Sequence, residues 1–217
     1  MRKLCCLLPL LFVPALSAQE VVTPDFAAIP LHRGWKGNIE ATALSRKDGA
    51  PAITFHSKED KALLVWLDDF SFANGVIEFD VKGQSAPPQS NFVGVAFRVV
   101  DATTYDVVYF RPFNFRTPDP VRQKRAVQYI SLPGFTWEHL RAEKPGQFED
   151  AIVPPPDGDA WFHARIVIER PKVSVFVNGA DEPCLVVNEL SDRTGGSVGL
   201  WSDYAGSIAN LKVTSRK

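Results

Sequence analysis

The chain has 217 residues and is almost electrically balanced, with 24 Lys and Arg residues against 25 Asp and Glu residues and a formal net charge of −1. This balance argues against a nucleic-acid-binding protein, which would normally be basic. The length suits one β domain with a sizeable core, and no internal repeat, low-complexity tract or Gly/Ser linker divides the chain.

The first 18 residues have the pattern of a secretory signal peptide. Arg2 and Lys3 give a positive start, an apolar run covers 4–13, and small residues follow up to Ala18. Cleavage there removes two of the 24 cationic residues, so 22 would remain against 25 acidic ones, a net charge of −3. The remaining domain, 19–217, would keep Cys184 as its one cysteine and could form no internal disulfide.

No later apolar run approaches the roughly twenty residues that a membrane helix needs. The sequence therefore predicts a secreted or periplasmic protein with no membrane span after signal cleavage. It gives no indication of the oligomeric state.

Two-residue alternation of apolar and polar side chains dominates the rest of the chain and predicts strands with one buried face. In chain order, the predicted strands are 52–56, 62–67, 76–81, 92–99, 105–110, 127–130, 161–169, 172–177, 197–202 and 207–213, with a short edge strand within 26–37. Charged and Gly/Pro-rich turns at 57–61 and 83–90 separate some of them. Such short strands, with almost no helical pattern between them, predict an all-β protein, a two-sheet antiparallel jelly-roll sandwich.

The strand 92–99 is the first candidate for a binding surface. Its odd-numbered residues are apolar and are predicted to face the core, so Gly94, Ala96 and Arg98 would lie on the other face. Two small residues beside a long arginine would form a trough with a forked donor at its end. On the next strand, either the Tyr109 side or the Asp106 side could face the same way, and the sequence leaves both registers open.

The least regular stretch, 111–158, is rich in prolines and aromatic residues. A compact domain rarely carries so long a connection unless it is functional or disordered, and the aromatic residues argue against disorder. We expect ordered loops folded over one rim of the sandwich. Trp137, within these loops, is the best candidate for an aromatic platform.

Several segments resemble the concanavalin A-like (laminin G-like) jelly roll and, more narrowly, the secreted bacterial 3-keto-disaccharide hydrolase family. The resemblance covers about 26–213 and depends on Gly94–Arg98, Tyr105–Tyr109, Lys172–Gly179, Gly196–Trp201 and Ile208–Val213. It implies one convex and one concave sheet, with carbohydrate bound across the concave face. Phe97-Arg98 and Tyr105-Asp106 match family positions on that face, and Asp106 stands where the family has a glutamate.

The predicted ligand is accordingly a carbohydrate or glycoside, whose hydroxyl pairs suit Arg and Asp side chains and whose C–H faces suit aromatic rings. The candidate catalytic residues are Asp106 and His163. The candidate substrate-binding residues are Arg98, Tyr109, Arg111, Asn114, Gln128, Trp137, Trp161 and Arg165. No zinc-ligand spacing is present and no cofactor is predicted, although related jelly rolls often hold a structural calcium ion, for which Asp68-Asp69 or Asp157-Gly-Asp159 could offer oxygens.

Structural explanations compete with each of these roles. Arg98 and Asp106 could form an ion pair that only stabilises the sheet, and His163 could be an ordinary surface residue. The classical Glu-x-Asp-x-x-Glu arrangement of laminarinases is incomplete at Glu78-Phe-Asp80, which lacks the third acid. Glu138, His139 and Glu143 are further acid or base candidates.

Three functions remain open at this point. The domain could bind glycans without changing them, it could hydrolyse a glycoside as the resemblance implies, or it could be a structural or adhesive cell-envelope domain that binds another protein.

Overall fold

A computed structural model describes residues 19–56, 62–86 and 91–216, and nearly all of this part of the chain is strand or short connection. The strands are β1 Gln19–Val22, β2 Trp35–Gly37, β3 Thr42–Lys47, β4 Ala50–His56, β5 Ala62–Leu67, β6 Asn74–Lys82, β7 Asn91–Asp101, β8 Thr104–Phe110, β9 Val127–Leu132, β10 Glu149–Asp150, β11 Phe162–Glu169, β12 Lys172–Val177, β13 Leu185–Asn188 and β14 Ser197–Arg216. The helices are α1 Pro120–Gln123 and α2 Trp137–Glu143, with 3₁₀ turns at Phe26–Leu31, Ile39–Ala41 and Pro112–Asn114. The predicted signal peptide, 1–18, and the predicted turn, 57–61, lie outside the described residues.

The strands form two antiparallel layers, which confirms the predicted all-β jelly roll. Sheet 1 has the order β10-β9-β8-β7-β14-β5-β2, and sheet 2 has the order β13-β12-β11-β6-β14-β4-β3, with β1 beside the end of β14. Every pairing between named strands is antiparallel. We call the side of each sheet that points away from the other sheet its outer face.

Strand β14 belongs to both sheets, whereas the sequence predicts two separate strands in this region. Its first part pairs with β7 and β5 in sheet 1, and its second part pairs with β6 and β4 in sheet 2. Tyr204, between the two parts, has φ of 71°, and Asn210 has φ of 54° beside the register shift against β6. Such irregularities increase the local twist, which lets one strand pass from one layer to the other.

The core lies between the layers, as the alternation predicts. Ile77 and Phe79 of β6 are completely buried, and so are Ile166 and Ile168 of β11. Phe110 of sheet 1 reaches across to Phe79, with the ring centroids 6.4 Å apart. Each fully buried side chain of this kind stabilises the fold by about 1.5–3 kcal/mol relative to an exposed position.

The alternation of β7 stops at Arg98, which differs from the sequence expectation. The register against β8 shifts between Phe97 and Asp101, and Arg98 has φ of 53°. Gly196 allows this because a Cβ there would lie 2.5 Å from the carbonyl carbon of Arg98. Arg98 is therefore enclosed, with 0% of its surface exposed, and does not line a trough with Gly94.

The irregular stretch 111–158 is ordered and carries β9, α1, α2 and β10. Of these, the sequence predicts β9 but neither the two short helices nor β10. In the part of the chain that the structure covers, no helix combines the length and the apolar character that a membrane crossing requires.

Candidate functional site

The pairing of β7 with β8 decides which side of β8 faces outward. Tyr109 lies opposite Gly94, and Val107 lies opposite Ala96, so these residues share the outer face of sheet 1. Asp106 lies opposite Phe97 and faces the opposite way. Of the two registers that the sequence leaves open, the structure has the one that exposes the tyrosine side of β8 to the outer face.

Asp106 is fully buried at the edge of the core. Its carboxylate accepts hydrogen bonds from Arg193 Nη2 at 2.7 Å and from Ser191 Oγ at 3.0 Å. His163 lies on the outer face of sheet 2, where its Nδ1 is 2.9 Å from Asp80 Oδ1. The structure therefore places the two candidate catalytic residues on different sheets and does not bring them together.

Arg98 is also separated from the outer face. Its Nη2 and Nε atoms donate to Glu189 at 2.8 and 3.2 Å, and the two side chains are 0% and 1% exposed. Arg98 and Asp106 thus do not pair with each other, because each has a partner from the segment that follows β13. A buried ion pair, Arg98 with Glu189 or Asp106 with Arg193, explains the position of each of these two residues.

Trp161 and Arg165 lie at further, separate places. Trp161 lines a cavity of about 510 Å³ together with His56 and Lys82. Arg165 lies on the outer face of sheet 2, with its guanidinium carbon 3.8 Å from the ring centroid of Phe176.

The remaining predicted binding residues converge at one end of the outer face of sheet 1. A cavity of about 270 Å³ opens there, and we call it the arginine pocket. It is lined by Phe92, Arg111, Phe113, Asn114, Arg122, Arg125, Trp137 and Arg141. These residues come from the start of β7, the segment after β8, and helices α1 and α2 with their flanks. The sequence predicts Arg111, Asn114 and Trp137 here, and Tyr109 and Gln128 lie directly beneath.

A hydrogen-bond network fixes the floor of the arginine pocket. Tyr109 Oη donates to Gln128 Oε1 at 2.8 Å, and Arg111 Nη2 donates to Tyr109 Oη at 2.8 Å and also to Gln128 Oε1. Arg111 Nη1 and Asn114 Nδ2 both donate to the carbonyl oxygen of Arg125, at 3.2 and 3.1 Å. These polar groups are buried and satisfied, so the floor is rigid.

Burial shifts the pKa values of two groups in this floor, Tyr109 and Arg111. It raises the pKa of the Tyr109 hydroxyl to about 12, so the hydroxyl remains a hydrogen-bond donor at neutral pH. Burial also lowers the pKa of the Arg111 guanidinium, and the positive charges of Arg141 and Arg125 act in the same direction. A guanidinium nevertheless stays protonated in proteins.

Aromatic rings form the walls. The rings of Phe92 and Phe113 meet edge to face at 5.6 Å, and the guanidinium carbon of Arg122 lies 5.8 Å from the Phe113 centroid. The guanidinium carbon of Arg141 lies 4.9 Å from the Trp137 ring, which is still 41% exposed. Trp137 thus offers open aromatic surface next to fixed cationic donors.

One carboxylate lies behind the arginines. Glu149 of β10 is 7% exposed and accepts two hydrogen bonds from Arg141, at 3.1 and 2.6 Å. Its carboxylate oxygens are also 3.5 Å from Arg111 Nη1 and 3.6 Å from Arg125 Nε. Glu149 anchors the cluster and is not itself part of the pocket lining.

The sequence reasoning missed Phe92, Phe113, Arg122, Arg125, Arg141 and Glu149. The signal that could have found most of them is the recurrence of arginine and phenylalanine within 111–149. Alternation assigns a face to Phe92 alone, whereas loops, short helices and the two-residue strand β10 bring the other residues together.

A second cavity of about 450 Å³ adjoins the arginine pocket and shares Phe113 and Arg122 with it. Its lining continues along Pro112, Thr117 and Asp157. The side chains of Phe113 and Arg122 thus border both cavities.

The acids suggested for calcium do not form a ligand set. Asp68 pairs with Lys36 at 2.5 Å, Asp157 pairs with Arg116 at 3.2 Å, and Asp159 accepts from Ser85. Within the described part of the chain, no three His, Cys, Asp or Glu side chains are grouped as a metal site would require. Each of these three acids thus has another partner in this structure.

Comparison with known proteins gives the fold and no family. No protein-family model matches the sequence, and no curated protein matches it significantly. Among solved structures, the carbohydrate-binding module CBM66 from Bacillus subtilis superposes with a TM-score of 0.56 at 13% identity, covering 83% of this chain and 95% of that one. A Bacillus subtilis protein of unknown function with a galectin-like fold gives 0.53 at 14% identity, with 84% and 90% covered.

The exoplasmic/lumenal domain of VIP36, in its Ca²⁺- and Man3GlcNAc-bound form, gives a TM-score of 0.54 at 10% identity, covering 84% of this chain and 82% of that one. At such identities the likeness extends to the fold alone. The chain has the concanavalin A-like jelly-roll fold.

Proposed function

We propose that this protein binds a carbohydrate in the arginine pocket, on the outer face of sheet 1, and that it acts as a binding domain. The observation that carries the proposal is the position of Trp137, a 41% exposed tryptophan that lines the same pocket as the partly exposed guanidinium groups of Arg122 and Arg125. An exposed ring with convergent polar groups suits a ligand that has both apolar C–H faces and hydroxyl pairs. The solved structures of the same fold include a carbohydrate-binding module and a glycan-bound domain, which supports this choice.

The geometry favours binding over glycoside hydrolysis by the usual two-carboxyl route. Glycoside hydrolysis by the usual route needs two carboxyl groups on either side of the scissile bond. Among the described residues, the lining of the arginine pocket contains no carboxylate, and Glu149 behind it is held by Arg141. Asp106 is buried, and His163 is on the other sheet.

If the N-terminal segment is a signal peptide, as the sequence predicts, the ligand would be met outside the cytoplasm. We include a secreted or periplasmic location in the proposal. Immunoblotting of cell fractions, with the processed N-terminus sequenced, tests this part separately.

Calorimetric titration with a panel of neutral and acidic oligosaccharides tests the binding proposal. We expect at least one class to bind, and we expect Trp137→Ala to weaken that binding by about tenfold or more, as is typical when an anchoring aromatic side chain is truncated. Trp161→Ala is the matched control because Trp161 lines a different cavity. We expect it to leave the affinity unchanged.

Two outcomes would refute the proposal. The first is that no oligosaccharide binds, which would favour a domain that contacts another protein. The second is that Trp161→Ala abolishes binding while Trp137→Ala does not, which would move the site to the other cavity. Chromatography of the same mixtures after long incubation should show no cleavage product, and a product from plain or 3-keto glycosides would establish an enzyme.

A further inference from the structure

The arginine pocket concentrates positive charge in a protein that is otherwise balanced. Four of its eight lining residues are arginines, and none is acidic. The whole sequence carries 24 cationic and 25 acidic residues, so an ordinary surface region would mix both signs. Glu149 is the acidic side chain in contact with the cluster, and it neutralises one of the four charges.

Two arginines that lie near the core of this protein have acidic partners, whereas Arg165 on the outer face of sheet 2 packs on the ring of Phe176. Arg98 pairs with Glu189 and Arg193 pairs with Asp106, in each case at 2.8 Å or less. In the pocket, by contrast, Arg111, Arg125 and Arg141 all lie near one carboxylate, that of Glu149.

Two of the four arginines have donors to spare, and the side chain of Arg122 is also held in place. Arg122 donates through Nε to Asn114 Oδ1 at 3.2 Å, and the nearest carboxylate oxygen to Arg125 is at 3.6 Å. Within the described part of the chain, the terminal nitrogens of Arg122 and Arg125 make no hydrogen bond. Both side chains are partly buried, and the carbonyl oxygen of Arg125 is bound by Arg111 and Asn114.

A guanidinium presents its donors in a planar fork that matches the oxygens of a carboxylate or a sulfate. Two such forks beside an exposed tryptophan suit a sugar ring that carries an oxyanion. On this basis, and resting on the proposed function, we infer that the ligand is an acidic glycan, a saccharide bearing carboxylate or sulfate groups. The adjoining cavity that shares Arg122 and Phe113 provides room for a neighbouring sugar residue.

Pairs of ligands that have the same length but differ in their acidic groups distinguish recognition of the charge from recognition of the sugar. We would titrate the protein with tri-galacturonate and with galactotriose, and with a sulfated trisaccharide and its unsulfated form. We expect the acidic member of at least one pair to bind about tenfold more tightly, and we expect its affinity to fall as the salt concentration rises. A difference in the first pair would identify carboxylate as the recognised group, and a difference in the second pair would identify sulfate.

Variants that remove a positive charge test whether the preference for acidic ligands arises in the arginine pocket. We expect Arg122→Gln and Arg125→Gln each to lower the affinity for the acidic ligand about fivefold or more and to reduce its salt dependence. Arg165→Gln, on the other sheet, is the matched control and should change neither. The melting temperature of each variant shows that the fold is intact.

The results distinguish this inference from the function on which it rests. If neutral and acidic ligands bind equally and Trp137→Ala weakens both, the binding function stands and the acidic specificity is wrong. If acidic ligands bind but Arg122→Gln and Arg125→Gln have no effect, the assignment to this pocket is wrong. If no ligand binds at all, both proposals fail.

Discussion

The buried pair of Arg98 and Glu189 gives the sharpest test of the structure. The sequence suggests Arg98 as a ligand-binding residue, whereas the structure encloses it completely and gives its guanidinium two hydrogen bonds to Glu189. Replacement by methionine, Arg98→Met, keeps much of the volume and removes the charge. Glu189 would then be left in the protein interior, with Arg170 as its remaining cationic partner at 3.3 Å.

The loss of stability expected for Arg98→Met follows from the burial of the ion pair. Removing one partner of a buried ion pair typically destabilises a protein by about 3–5 kcal/mol, because the other charge remains without compensation. Arg170 is 31% exposed and can be solvated, so it replaces Arg98 only in part. For a domain of this length, such a loss lowers the melting temperature by about 6–20 °C.

The double variant Arg98→Met/Glu189→Leu removes both charges and is the matched control. Replacing a whole buried ion pair by apolar residues is often neutral or stabilising. We therefore expect the double variant to recover most of the stability that the single variant loses. The measurement is thermal unfolding followed by circular dichroism, together with the glycan titration.

The reasoning would be refuted if Arg98→Met kept the wild-type melting temperature and lost glycan binding. That result would return Arg98 to a ligand-binding surface. Equal destabilisation in the single and double variants would show instead that packing around Arg98, and not the charge of Glu189, determines the cost.

Three further results are expected. Glu149→Gln removes the counter-charge that Arg141 holds through two hydrogen bonds, and it should lower the free energy of unfolding by about 1.5–3 kcal/mol in denaturant titrations. Partial burial raises the pKa of the Cys184 thiol to about 12, so a thiol reagent at neutral pH should label it much more slowly in the native protein than after unfolding, and equally fast labelling of both would contradict the raised pKa. Burial also raises the pKa of Glu189, so its contribution to stability is present below the unfolded pKa and is lost as the pH rises through the folded pKa. Unfolding curves from pH 4 to 7 should therefore show a smaller loss of stability with rising pH in Glu189→Gln than in the wild type.

The sequence predicts the sheets well where alternation is regular. The predicted bounds 62–67 and 172–177 are those of β5 and β12, and Phe162 to Ile168 alternate as expected. The alternation of apolar and polar residues does not show where a strand changes the strands with which it pairs. The bend of β14 at Tyr204 and the register shift after Phe97 are set by tertiary contacts, so they were not predicted.

The candidate site likewise combines residues that the sequence predicts with residues that it does not predict. Tyr109 and Gln128 lie on regular, paired strands, and Trp137 stands out as an aromatic residue in a loop. Arg141 and Glu149 are eight residues apart and are neighbours because the chain returns after α2 to pair β10 with the edge of β9. Nothing in the local pattern predicts this return of the chain.

The site is thus built by the irregular stretch and not by the jelly roll itself. Sheet 1 supplies a floor of Tyr109 and Gln128, while most of the cationic side chains come from 111–141, a region with no regular strand pattern outside β9. Likeness of fold at 10–14% identity compares mainly the sheets, so it carries no information on the charge that these loops add. The ligand class must therefore be inferred from the arginines of this chain. A carbohydrate-binding jelly roll with a different loop in this place would be expected to prefer a different sugar.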